Sequence, residues 1–297
     1  MAQRSRLSIA KGDIFTYFDA ANRSVYAQAD IATILTEQRS FWRLALKTSA
    51  LEFIAFLIDQ GRLKRAVFRS EAYDRELTRY SWGEASIYQL ALSLRKGAYL
   101  SHGTAVFIHG LTNLIPKTLY LNVEQSPKPP PRGELTQSAL TRAFSNNQRQ
   151  SNLSYAYEDW SVTIISGKNT GRLGVDTISG PSGEKLDVTN LERTLIDIVV
   201  RPAYAGGIFQ VLEAYRSAKE TMSTNRLISI LKKLDYVYPY HQAIGFLMQR
   251  AAYDPVRYDM LRALRSDLNF YLTHGIKKPS FDEDWKLYYP EGLESRG

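Results

Sequence analysis

The chain has no cysteine, and that one absence removes disulfide frameworks, cysteine-ligated zinc, iron–sulfur clusters and thiol catalysis together. A reducing cytoplasm is the compartment such a composition suits. Residues 1–11 (MAQRSRLSIAK) lack the apolar h-region of a signal peptide, so no export is expected. Residues 97–116 carry no Lys, Arg, Asp or Glu over twenty positions, a membrane-spanning length. They contain His102, His109, Asn113, three glycines and a proline, each unfavourable in hydrocarbon, and read instead as part of a folded core. Histidine is also scarce, with four in 297 residues. The closest pair, His102 and His109, is seven apart, whereas two ligands on one helix need a spacing of three or four and a nearby carboxylate. No metal and no cofactor is expected.

What is present is a core and a basic bias. With 44% hydrophobic and 23% charged residues, the chain can fold without covalent staples as one or two domains. The formal net charge is +8, and residues 1–150 carry it. Within 39–69 there are seven basic residues against two acids, Glu52 and Asp59, which suggests a polyanionic partner. A mildly basic, solvated surface would give the same count.

Periodicity sets the order of elements. Residues 11–19 place Ile14, Phe15 and Phe18 at helical spacing, and residues 29–38 do the same with Ile31, Ile34 and Leu35. Residues 40–47 lead to a third helix at 49–60, in which Ser49 and Glu52 have the spacing of a capping box and Gly61 supplies the stop. Residues 63–68 (LKRAVF) read as a basic strand. Three helices, a glycine and a basic strand are the order of a winged helix-turn-helix, an order that plain interaction modules also use. The outward side of the third helix is predicted to offer Glu52, Phe53, Phe56 and Asp59, and acids repel phosphate. DNA contact is therefore expected from Arg39, Arg43, Lys47, Thr48 and Ser49 before that helix and from Arg62, Lys64, Arg65 and Arg69 on the ribbon.

The polar stretch 73–82 is expected to link a DNA-binding domain, 1–78, to a larger domain, 79–297. Helices are predicted at 84–94, 101–109 and 134–144, and strands at 118–123, 161–165, 174–178 and 185–188. A proline-rich exposed loop falls at 125–132 (QSPKPPPR). From residue 189 on the chain reads as helical, with Thr189 and Glu192 as a second capping box and further helices at 207–219, 224–234, 241–252 and 256–267. The fold class is α+β: a winged helix followed by a mixed α/β domain with a helical C-terminal part.

Candidate catalytic constellations are weak. Asp176, Glu184 and Lys185 lie on consecutive predicted strands, but adjacent Glu184 and Lys185 point to opposite faces and do not form a nuclease-like site. Gly206 and Gly207 belong to no phosphate-loop motif. Glu192, Arg193 and Asp197 are explained by a helix start and an i,i+4 ion pair. The nineteen tyrosines are scattered rather than interleaved with the basic cluster, as packing residues are.

Three stretches carry a family likeness: YLSHGTAVFIHGLTNLIPKTLYLNVEQ at 99–125, LDVTNLERTLIDIVVRPAYAGG at 186–207 and HQAIGFLMQRAAY at 241–253. In order they give an SH-x-x-A…HGL run, an ERT-L-D…RP…GG run and a G-[FY]-L helix, across nearly the whole chain. The chain thereby resembles the AbiEi family, antitoxins and transcriptional regulators of type IV toxin–antitoxin systems linked to abortive phage infection. The resemblance implies an N-terminal winged helix that binds double-stranded operator DNA, a C-terminal domain needed for antitoxin activity, a cognate nucleotidyltransferase-like toxin as partner, autorepression, and no enzymatic activity. The acidic, aromatic third helix departs from a DNA-reading helix. Two other classes stay open on the residues alone: a nucleic-acid-processing enzyme using Asp176 or Glu184, and an interaction protein in phage defence whose winged helix packs rather than reads.

Overall fold

The computed structural model describes residues 5–129, 133–264 and 266–293; Pro130, Pro131 and Arg132 of the expected proline-rich loop lie outside them. In chain order the first elements are α1 (Arg6–Asp19), β1 (Val25–Tyr26), α2 (Gln28–Gln38), α3 (Ala50–Asp59), β2 (Leu63–Ser70), β3 (Arg75–Trp82) and α4 (Ile87–Leu92). Then come β4 (Tyr99–Leu100), α5 (His102–Ile108), β5 (Thr118–Glu124), α6 (Gln137–Ser145), β6 (Ser154–Tyr157), β7 (Trp160–Gly167), β8 (Val175–Ser179) and β9 (Lys185–Thr189). The C-terminal part holds α7 (Leu191–Val200), α8 (Ile208–Ser217), α9 (Thr224–Leu234), α10 (Tyr240–Arg250), α11 (Pro255–Arg262), β10 (Phe270–Tyr271), β11 (Pro279–Asp282) and β12 (Leu287–Pro290). The fold is mixed α/β.

Two compact units divide the chain: residues 1–98 with 153–162, and residues 99–152 with 163–297. This differs from the expected boundary between 78 and 79, which falls inside β3. The stretch 73–82 is no linker. Residues 75–82 are the second strand of a hairpin, antiparallel to β2 from Leu63↔Trp82 to Ser70↔Arg75.

In the first unit α1 buries Ala10, Ile14 and Phe18, one residue per turn on one face, and α2 buries Ile31 and Leu35. The capping box of α3 forms as its sequence predicts: Ser49 Oγ accepts from Glu52 N–H, and Glu52 Oε2 accepts from Ser49 N–H at 2.8 Å. Gly61 follows at φ +69°, the left-handed turn that lets the chain reverse into β2. The strands run β1-β3-β2-β6, with β1 antiparallel to β3. Phe18, Trp42, Phe53 and Tyr80 pack in the core, where Phe18 stacks on Trp82 at 4.7 Å and Trp42 on Phe53 at 5.6 Å.

The second unit has strands in the order β7-β5-β4-β9-β8, with β4 parallel to β9 and the other described pairs, β4–β5 and β8–β9, antiparallel. Its core gathers around α7, whose Leu195, Ile196, Ile198 and Val199 are buried with residues of α8, α9 and α10. The cap of α7 is Asn190, not Thr189: Asn190 Oδ1 accepts from Arg193 N–H, while the Thr189 hydroxyl pairs with that of Thr194 at 2.8 Å. The C-terminal part is not wholly helical. It ends in a second sheet, β10-β12-β11, and the helix expected to reach 267 stops at Arg262. Among the described residues, no helix is long and apolar enough to cross a membrane.

Candidate nucleic-acid interface

The nine residues expected to contact DNA separate into two kinds. Some are already committed within the protein. Arg39 sits at the end of α2, and its guanidinium donates to the carbonyls of Ala45, Leu46 and Thr48, pinning the loop before α3 from the inside. Ser49 uses its hydroxyl in the α3 cap. Arg62 forms a forked ion pair with Asp19, at 2.9 and 3.1 Å, and lies over the rings of Phe15 and Trp82.

The others are turned to solvent. Arg43, at φ +51°, and Lys47 are exposed and make no ion pair among the described residues; Thr48 is half-buried beside them. On β2, Arg65 is exposed opposite Tyr80 and likewise has no ion pair among the described residues. Lys64 pairs with Glu84, and Arg69 pairs at 2.8 Å with Glu76, its direct cross-strand neighbour. Such exposed pairs contribute about 0–1 kcal/mol, little enough for a phosphate to replace the acid. The strand pleat sends Lys64 to one face and Arg65 and Arg69 to the other, so the ribbon cations do not form one row.

Arg75 was not foreseen. It is exposed at the far end of the hairpin, opposite Ser70, again without an ion pair among the described residues. Reading 73–82 as a connection hid it; the strand-favouring Thr78, Tyr80 and Trp82 at period two were the available signal. Arg79 has a different role. Its guanidinium donates to the carbonyls of Ser93 and Leu94 just after α4, and burial lowers its pKa.

The outward face of α3 also differs from expectation. Phe53 is completely buried and Phe56 half-buried, whereas Leu51, Glu52, Ala55, Ile58 and Asp59 are exposed. The Glu52 carboxyl is held below its ordinary pKa by its hydrogen bonds with the backbone and hydroxyl of Ser49, so it stays charged at neutral pH. A face of two acids and apolar residues has no donor for base edges.

The constellations in the second unit are used internally. His102 is buried, with Nδ1 2.8 Å from Ser101 Oγ, and His109 Nε2 lies 2.7 Å from the Thr189 carbonyl; the two do not meet at a common site. Asp176 pairs with Arg226, and Glu184 accepts from Ser182 N–H inside the β8–β9 turn. Glu192, expected to act only on its own helix, accepts from Ser223 N–H at the start of α9. Arg193 and Asp197 form the i,i+4 pair at 2.7 Å, 5% and 7% exposed, and Arg193 also donates to the Leu173 carbonyl. Burial weighs against the Arg193 guanidinium, but Asp197, Tyr236 and Tyr99 outweigh it and hold the group protonated. No group of three His, Asp or Glu side chains suited to a metal occurs among the described residues.

No protein-family model and no curated protein matches the chain. Among solved structures it is similar to the Rv2827c protein from Mycobacterium tuberculosis, with 14% identity and a TM-score of 0.56, over 96% of this chain and 93% of that one. At that identity the likeness extends to the fold alone.

Proposed function

We propose that this protein is a DNA-binding transcriptional autorepressor that acts in the cytoplasm and doubles as the antitoxin of a type IV toxin–antitoxin system. Its first unit binds double-stranded operator DNA as a winged helix. The order helix, short strand, helix, helix, hairpin, with the short strand pairing on the hairpin's second strand, supports that reading. The observation that carries it is the hairpin itself, which leaves Arg65 and Arg75 exposed and, among the described residues, without ion pairs, on the two faces of a ribbon otherwise held by internal pairs. Arg43 and Lys47 add two cations ahead of α3. The acidic outward face of α3 makes this backbone-dominated binding, with phosphate contacts from the ribbon and the preceding loop. Neutralisation of a nucleotidyltransferase-like toxin, without a catalytic step of its own, rests on the sequence runs in the second unit.

The test uses the full chain, because a fragment ending at residue 78 would cut β3. The purified protein should retard a duplex carrying its own promoter at low salt. Replacing Arg65 and Arg75 together with alanine should weaken binding to all duplexes alike and reduce the salt slope by about 2, one for each lost phosphate contact. Lys64→Ala should do less, because Lys64 is already paired with Glu84. A folded full chain that retards no duplex at low salt, or an Arg65/Arg75 variant with unchanged affinity, defeats the proposal.

A further inference from the structure

A cavity of about 240 Å³ in the second unit lies at the C-terminal end of α9, lined by Leu231, Lys232, Asp235, His241, Leu264 and the three tyrosines of the DYVYPYH segment. The rings of Tyr236 and Tyr238 both stand nearly perpendicular to Tyr240, at 76° and 83°, with centroids 5.4 and 6.2 Å from it. The three phenol rings form part of the cavity wall, and aromatic rings attract a cation placed against them. The polar atoms at the cavity have the same preference. Asp235 is exposed, and its carboxylate has no ion pair among the described residues. His241 Nε2 is buried with no hydrogen-bond partner there, and burial lowers the imidazole pKa, which keeps the ring neutral and able to accept.

The end of α9 adds the negative pole of the helix dipole. It already holds one cation: Lys168 Nζ donates to the Leu234 and Asp235 carbonyls at 2.7 and 2.6 Å and lies 5.6 Å from the centre of the Tyr236 ring. Lys168 and Lys232 are the opposing charges: Lys168 is already satisfied by the two carbonyls, and Lys232 is exposed, where its flexible stem can keep the ammonium in water. A neutral aromatic ligand would leave the Asp235 carboxylate unused; a cation uses the rings, the carboxylate and the imidazole together.

We infer that this cavity binds the head of an organic cation, a guanidinium or alkylammonium group. The shared chemistry fits free arginine or an arginine side chain in a peptide. The inference is independent of DNA binding, because every residue it uses lies in the second unit.

Isothermal titration of the full chain with L-arginine, with N-acetyl-arginine amide and with L-citrulline tests it. Citrulline has nearly the shape of arginine and carries no charge on its head. Either arginine compound should bind at least tenfold more tightly than citrulline, the tighter of the two showing whether the cation is free or peptide-borne. Asp235→Asn, which keeps a residue tolerant of the φ of +45° at this position, should weaken arginine binding about fivefold to tenfold, by loss of the charge contact, with an unchanged melting temperature. Tyr238→Leu should abolish the preference over citrulline; should that variant fail to fold, the Asp235→Asn result decides. Equal binding of arginine and citrulline, absence of binding by either arginine compound, or full affinity in Asp235→Asn overturns the inference.

Discussion

His102 shows how one side chain couples the fold to pH. It is buried after β4, donating or accepting at Ser101 Oγ and edging the Tyr204 ring, with its pKa brought down to about 3 by burial and by the positive charges of Arg201 and Arg193. In the unfolded chain the same imidazole titrates near 6.5. The folded protein therefore keeps it neutral while the unfolded chain takes up a proton. The stability it contributes is complete above the unfolded pKa and is lost progressively as pH falls from 6.5 toward 3. The limiting slope is about 1.4 kcal/mol per pH unit, or roughly 2 kcal/mol between pH 6.5 and 5. His241 and His274 are lowered by burial as well and act with the same sign. Urea unfolding at pH 7.5 and 5.0 should show the loss, and His102→Asn should remove about a third or more of it while lowering stability at pH 7.5; an identical pH dependence in the variant would show that His102 is protonated in the fold.

At the scale of elements, the family-like runs are accounted for by packing. Adding a Cβ to Gly103 would bring it 2.7 Å from the Tyr204 carbonyl, so the SHG run and the RPAYAGG run need each other. A Cβ on Gly245 would lie 2.1 Å from the buried Trp285 ring, which ties the G-F-L helix α10 to the C-terminal sheet. Gly12, on α1, has open space around it. Gly12→Ala should stabilise by about 0.5–1 kcal/mol through helix propensity and the unfolded state. Gly245→Ala should destabilise by about 1–3 kcal/mol because overpacking outweighs the same gain. Thermal melting should move in opposite directions for the two; a rise for both would mean that Trp285 has room to move. Helices with a cap, an apolar face and a stop were legible in the sequence, as α3 with Ser49, Glu52 and Gly61 makes plain. The two-residue strands β1, β4 and β10 were not, because two residues show no period. Nor was β3, whose polar first half looked like a connection. The same failure hid Arg75, while Arg39 and Arg62, conspicuous as charges, turned out to be held by partners distant in sequence.

At the scale of the whole molecule, the chain crosses between its units at 98, 152 and 162, so the units are interleaved in sequence although each has its own core. Strand β6 illustrates this: it comes from the middle of the chain yet pairs with β2 through Arg69↔Ala156, and Tyr157 stacks on Phe68 at 4.7 Å. The proposed separation of repression from neutralisation must therefore be probed by point changes, not by truncation. The Arg65/Arg75 alanine variant alters only exposed charge and should lose repression while still protecting cells from a toxin co-expressed from an unrelated promoter. Leu195→Asp is the reverse probe. Leu195 is wholly buried in α7, so an unpaired carboxylate there should cost at least ~3 kcal/mol and unfold the second unit first. Hydrogen exchange should then show amides of α7 and α10 opening while those of α1 and α3, which lie in a core of their own, stay protected, and protection from toxin should disappear. Simultaneous opening of both sets of amides would make the two units one cooperative body. Full protection by Leu195→Asp, or its loss in the ribbon variant, would remove the second unit's claim to the antitoxin role.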